Sequence, residues 1–241
     1  MYRILTIAAF LLFVTNARAQ RVIDVNSADG AGALDYNASS AVMGQLYTGL
    51  KFVRVTAGTP FFKEQFMKAV LFDDGGDRYR CNAVRINLLD NEINFLGADG
   101  KEMISSSPVR RILLTDSTNG TNYYFIWGWE LTPPDKSLEK VWFQVLVNDE
   151  TTLCRQIKKK IHETPSYGTA TADQDILSID AYWLHRNGKL TAVKNWDDLL
   201  DQLQDQKAML TQYIHDHHLK GKSADDYTQI VTAYNHAKKS K

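Results

Sequence analysis

Along most of the chain hydrophobic and polar positions alternate, and short clusters of Gly, Asn, Asp and Pro interrupt the alternation. Strand side chains point to opposite faces with a period of two, so this pattern predicts antiparallel strands joined by hairpins. Leu50 to Val55 and Met67 to Phe72 read as strands, with Gly58-Thr59-Pro60 stopping the first. Asp73-Asp74-Gly75-Gly76-Asp77 is a turn into a strand on which Val84, Ile86 and Leu88 share a face. Asp90-Asn91 turns the chain again, Ile93 and Phe95 share the next face, and Ala98-Asp99-Gly100-Lys101 is another hairpin signal. Arg110 to Leu114, Tyr123 to Trp129 and Val141 to Val147 are β-branched or aromatic runs separated by Asn119-Gly120 and Pro133-Pro134-Asp135. Leu153, Ile157 and Ile161 share one parity of the strand that follows. Asn187-Gly188 between apolar flanks is a strong hairpin signal.

Near the C-terminus the period changes to that of a helix. Trp196, Leu199, Leu200, Leu203, Leu210, Tyr213 and Ile214 fall on one face at about 100° per residue. Asn195 stands as N-cap, Asp197 and Asp198 suit the positive end of the dipole, and Gly221 is placed as the C-terminal cap. Ser223-Ala224-Asp225-Asp226 then opens a second helix with Tyr227, Ile230, Val231 and Tyr234 as its stripe. Two short amphipathic helices must bury their stripes on each other and on the sheet. The expected fold is therefore α+β: antiparallel β hairpins in a meander, sandwich or roll, with a C-terminal helical hairpin packed on the sheet.

Residues 1–19 stand apart from this pattern. Arg3 precedes an apolar run from Ile4 to Val14, and Ala17-Arg18-Ala19 forms an A-x-A site, the three parts of a secretory signal peptide. The run is too short to span a bilayer, which takes roughly 20 residues. Cleavage after Ala19 removes Arg3 and Arg18, leaving 26 basic against 28 acidic residues and a net charge of −2. That balance gives no basic surface for nucleic acid. The mature chain, with no transmembrane segment expected, is thus placed outside the cell or in the periplasm. Residues 20–41 are rich in small and polar residues and read as a loose arm, 42–163 as the β domain, 164–173 as a linker loop, and 174–241 as a β-hairpin plus the two helices. Cys81 and Cys154 either close one long-range disulfide or stay free, a matter of geometry.

Several motifs resemble those of one group of proteins. They are Gly58-Thr59-Pro60-Phe61-Phe62, Asp73 to Tyr79, Val84 to Ile93, Tyr182-Trp183-Leu184, Leu203-Gln204-Asp205-Gln206-Lys207 and Tyr234-Asn235. The chain resembles an uncharacterised family of exported, β-rich proteins of Bacteroidota. The resemblance implies export and fold, and it carries over no catalytic residue.

The candidate chemistry is sparse. His215, His217 and His218 surround Asp216 and are the weak metal candidates, yet the helical projection spreads them round the axis, so no metal or other cofactor is expected. The Asp73 to Asp77 run lacks the spacing of a calcium loop, and no nucleophile elbow, zinc-protease or P-loop motif is present. Tyr123, Phe125, Trp127 and Trp129 share one expected strand face, which is either core or a surface for ligand. The expected function is an exported, non-catalytic, envelope-associated protein that binds an unknown envelope protein or ligand. The alternative is a secreted hydrolase in which acids such as Asp149 and Glu150, or Asp90 and Glu92, meet a histidine in space.

Overall fold

The computed structural model describes residues 22–24, 44–48, 54–165 and 172–239. The signal peptide at 1–19 and most of the arm expected at 20–41 lie outside these residues.

Among the described residues thirteen strands follow one another: β1 (Val22–Asp24), β2 (Gly44–Leu46), β3 (Val55–Ala57), β4 (Met67–Asp73), β5 (Arg78–Asn87), β6 (Glu92–Leu96), β7 (Glu102–Ser105), β8 (Val109–Thr115), β9 (Asn122–Trp127), β10 (Trp142–Val147), β11 (Thr152–Pro165), β12 (Ala172–Arg186) and β13 (Lys189–Val193). Three helices close the chain: α1 (Trp196–Gln202), α2 (Lys207–Asp216) and α3 (Ala224–Lys239). The strands form one open sheet in the order β13-β12-β11-β10-β9-β8-β4-β5-β6-β7-β2, antiparallel throughout this path. Two meanders, β4 to β7 and β8 to β13, are thus fused where β8 pairs with β4. β1 adds to β5 and β3 to β12, both in parallel. An α+β molecule with helices packed on an antiparallel sheet is what the alternation and the C-terminal stripe call for.

Two expected boundaries change. The stretch 164–173 is no free linker, because Thr164 pairs with Asp173 and Pro165 with Ala172 at the far end of the β11–β12 hairpin. The ladder runs on to Pro165 and Ala172, and residues 166–171 lie outside the described set. Val22–Asp24, inside the expected arm, is a strand against Arg78–Arg80, where a small backbone edge suffices for pairing.

The register gives the sheet two distinct faces. On the first, Leu71, Ile112, Phe125, Gln144, Arg155, Tyr182 and Val193 are successive cross-strand neighbours. Apolar side chains at one end of this face pack into a cluster with Val84, Ile86 and Phe95. A bulge between β4 and β5 shifts the buried parity from Tyr79 and Cys81 to Val84 and Ile86 and bends the strand. At the other end Leu153, Leu184 and Val193 pack under the helices with Leu199, Leu203, Leu210, Ile230 and Val231. Between the two clusters lies a polar seam in which Arg155 reaches the Asp180 carboxylate at 2.6 Å and the Gln144 amide oxygen at 3.5 Å.

The helices are fixed by polar contacts as well as by burial. The buried Asn235 amide pairs with the backbone of Thr151, accepting from its N–H at 3.0 Å and donating to its carbonyl at 2.8 Å. Tyr227 stacks on Tyr182 with ring centroids 4.1 Å apart. Arg186 donates to the Tyr234 hydroxyl at 2.9 Å, and that hydroxyl donates to Asp205 at 3.0 Å.

On the second face Val70, Leu113, Tyr124, Val145, Cys154, Trp183 and Ala192 are successive neighbours. Cys154 lies here and Cys81 on the first face, both buried, so the sheet itself separates the two thiols. Burial pushes the Cys154 thiol up to about 12, which leaves it protonated and unreactive at neutral pH. Phe143, Cys154, Trp183, Leu190 and Leu131 make a third buried cluster, covered by the excursion between β9 and β10.

Candidate functional site

That excursion, residues 128–141, builds the site. It holds two 3-10 turns, Gly128–Leu131 and Lys136–Lys140, the second capped by the Asp135 carboxylate accepting from the Ser137 N–H. The Gly128 N–H donates to the Val141 carbonyl at 2.9 Å and closes the loop. A Cβ on Gly128 would lie 1.8 Å from the Leu138 carbonyl oxygen, so only glycine lets the two limbs approach. Leu131 is buried in the third cluster and anchors the loop from below. With Leu131 inward, Trp129 and Glu130 turn toward the second face of the sheet.

There they border a groove of about 870 Å³ with Phe72, Arg78, Arg110 and Arg111 on its other walls. Trp129 is 59% exposed, the most exposed of the large hydrophobic side chains among the described residues. Its ring is propped by Arg110, whose guanidinium carbon lies 5.1 Å from the ring centroid. Arg110 is in turn held by both carboxylate oxygens of Asp74, from the turn between β4 and β5. Arg111 donates to Glu130 at 2.6 to 2.7 Å, a pairing that raises its already high pKa. Arg78 sits over the Phe72 ring at 5.5 Å. The groove therefore offers the exposed indole of Trp129 and the Phe72 ring beside guanidinium–carboxylate pairs whose orientation is already fixed.

A second recess of about 470 Å³ adjoins it and shares Arg111 and Glu130 as walls. Its other sides carry Asn148, Asn187, Thr152 and Tyr124, and also Asp149, Glu150 and His185. Asp149 accepts from Lys239 at 2.5 Å and from the Glu150 N–H at 2.8 Å, and these bonds hold its carboxyl below the usual range. The acid pair and a histidine weighed from the sequence thus border one recess.

The four aromatic candidates do not share a face. Phe125 is 1% exposed and belongs to the first-face core. Tyr123 packs edge-on against Phe62 at 5.0 Å and accepts from Lys63 at 2.8 Å. Trp127 packs edge-on against Trp142 at 4.7 Å. Only Trp129 reaches the groove. The alternation that put it beside the other three ends at Trp127, because Gly128 leaves the strand. The arginines were the missed part of the site. Adjacent Arg110-Arg111 between two apolar strand positions was the available signal, but alternation alone assigns such residues to solvent.

The metal candidates are accounted for by the end of α2. The Leu219 N–H donates to the Ile214 carbonyl at 3.1 Å and the His218 N–H to the His215 carbonyl at 3.3 Å, a Schellman motif with His218 at the left-handed position, φ 54°. His217 stacks on Tyr213 at 3.9 Å and bonds its carbonyl through Nδ1, while His215 contacts Asp216. The expected cap Gly221, φ 64°, has another use: Trp196 lies where its Cβ would be, at 2.4 Å. Among the described residues no group of three or more His, Cys, Asp and Glu side chains converges as a metal site would require. The Asp73 to Asp77 run is a turn in which Asp73 accepts from the Asp77 N–H and the Tyr79 hydroxyl.

No helix among the described residues is long and apolar enough to cross a membrane. Comparison with protein-family models, with curated proteins and with solved structures returned no match to the chain.

Proposed function

We propose that this chain is an exported, non-catalytic, envelope-associated binding protein, and that its ligand sits in the groove beside Trp129. The observation that carries the reading is the placement of Trp129. A large indole is held 59% exposed on a loop anchored by a buried leucine and locked by a glycine, beside arginines already oriented by carboxylates. Ordering such groups before the ligand arrives removes much of the entropic cost of binding. The A-x-A site and apolar run at 1–19 support export to the periplasm or beyond.

The test is a binding screen of the full mature chain by tryptophan fluorescence and calorimetry against peptides, nucleotides, fatty acids and oligosaccharides. A ligand that binds wild type and loses at least tenfold in affinity on Trp129→Ala is the expected result. The melting temperature of that variant should be unchanged, because the side chain is exposed. Binding that is indifferent to both Trp129→Ala and Arg111→Ala would place the site elsewhere. The recess holding His185, Asp149 and Glu150 favours a second reading, a secreted hydrolase. It predicts breakdown of the bound ligand in the same screen, lost on Glu150→Gln.

A further inference from the structure

We infer that the groove and the adjoining recess form one continuous track for a neutral, linear oligosaccharide, a step that rests on the groove being the binding site. The two cavities share Arg111 and Glu130, and the ligand passes over the ion pair between them. The track crosses the sheet from Phe72 on β4 to His185 on β12, five strand spacings, or roughly 24 Å. That span suits a short oligomer and leaves a single sugar ring most of it unfilled.

The chemistry of the walls selects among polymers. Arg110 with Asp74 and Arg111 with Glu130 present donors and acceptors side by side, and neither sign of charge is in large excess in the groove. At Arg110 and Arg111 a polyanion would have to displace the paired carboxylates, leaving a charge without its partner. A hydroxyl both donates and accepts, so a sugar can use an intact pair. Asn148, Asn187, Thr152 and Tyr124 continue two-way hydrogen bonding into the recess, beside the carboxylates of Asp149, itself bound to Lys239, and Glu150. Trp129 supplies the flat surface against which the C–H face of one ring can lie.

Other polymers fit less well. An acyl chain needs a mostly apolar lining, and here the apolar groups are Phe72, Trp129 and Pro133 among charged neighbours. An extended peptide is recognised by adding to a sheet edge, whereas this track runs over the strands' own paired backbones.

The test is calorimetry of the full mature chain with cellohexaose, maltohexaose and chitohexaose, each against its disaccharide. At least one hexasaccharide should bind, at least tenfold more tightly than its disaccharide. Trp129→Ala should weaken the hexasaccharide at least tenfold. Asn148→Ala, an exposed change in the recess, should weaken the hexasaccharide while leaving the disaccharide unchanged. Equal affinity for both lengths would overturn the continuous track. Binding of no hexasaccharide, with a peptide, nucleotide or fatty acid bound in a Trp129-dependent way, would overturn the ligand class and leave the groove as the site. Failure of every probe to sense Trp129 would remove both.

Discussion

Asp116 shows how far one residue's environment departs from its appearance in sequence. Asp116-Ser117-Thr118-Asn119-Gly120 looks like a solvated hairpin turn, and the backbone does turn there, with the Gly120 N–H donating to the Asp116 carbonyl at 2.8 Å. The carboxylate, however, is 1% exposed. It accepts from Lys63 at 2.8 Å and from the Thr118 hydroxyl at 2.6 Å, tying the segment before β4 to the β8–β9 turn. The Lys63 ammonium and the Thr118 bonds hold this carboxyl well below the usual carboxylate range, and the same contact raises Lys63. A depressed folded-state pKa contributes stability that is fully present above the unfolded value of about 3.9 and is lost as pH falls toward the folded value. Asp116→Asn should therefore melt below wild type at pH 7, and the gap should narrow as the pH is taken to about 3. Melting curves across that range check it, and a gap independent of pH would mean that the charge of Asp116 is not the source. Lys63 is the hidden partner because 53 residues of chain separate the two, and local spacing carries no trace of that contact.

Elements end where a single residue leaves the repeating geometry, and two such ends decide how much of the site is legible. Alternation correctly identifies β9 but carries Trp129 one turn too far, since a glycine inside a strand pattern marks either a bulge or an exit. The stripe from Trp196 to Ile214 likewise identifies the helical region, although Leu203 and the 3-10 turn at Gln204–Gln206 split it into α1 and α2. Gly221 draws the cap assignment because glycine is the usual left-handed residue, whereas His218 holds that position. A non-glycine residue in the left-handed region costs roughly 1–2 kcal/mol, offset in part by the lower entropy of its unfolded chain. His218→Gly should accordingly stabilise the protein by about 0.5 kcal/mol, read as a higher urea midpoint at unchanged slope. A lower midpoint would show that the His218 side chain contributes contacts worth more than the strain it imposes.

At the scale of the whole molecule, the strand types were readable and the strand order was not. Each hairpin follows from its own turn, such as Asn187-Gly188 with φ of 53° and 69°, but β4 pairing with β8 joins strands that three others separate in sequence. That junction brings the Asp74 turn beside Arg110 and so assembles the groove. The same global arrangement gives the C-terminal helices their surface. Leu199, Leu203, Leu210, Ile230 and Val231 are fully buried against Leu153 and Leu184, beyond the polar seam of Gln144, Arg155 and Asp180. Burying one such side chain is worth roughly 1.5–3 kcal/mol. A membrane surface would compete for these stripes only if the outer faces were basic, and there Asp197, Asp201, Asp205, Asp216 and Asp225 offset the exposed Lys207, Lys238 and Lys239. Cutting the chain before Asn195 should strip the cover from Leu153, Leu184 and Val193 and leave the backbone groups of Thr151 without Asn235. The truncated protein should aggregate or melt far below the full chain in calorimetry. A soluble β-sheet fragment with an unchanged melting temperature would show instead that the helices dock on a surface that is stable without them.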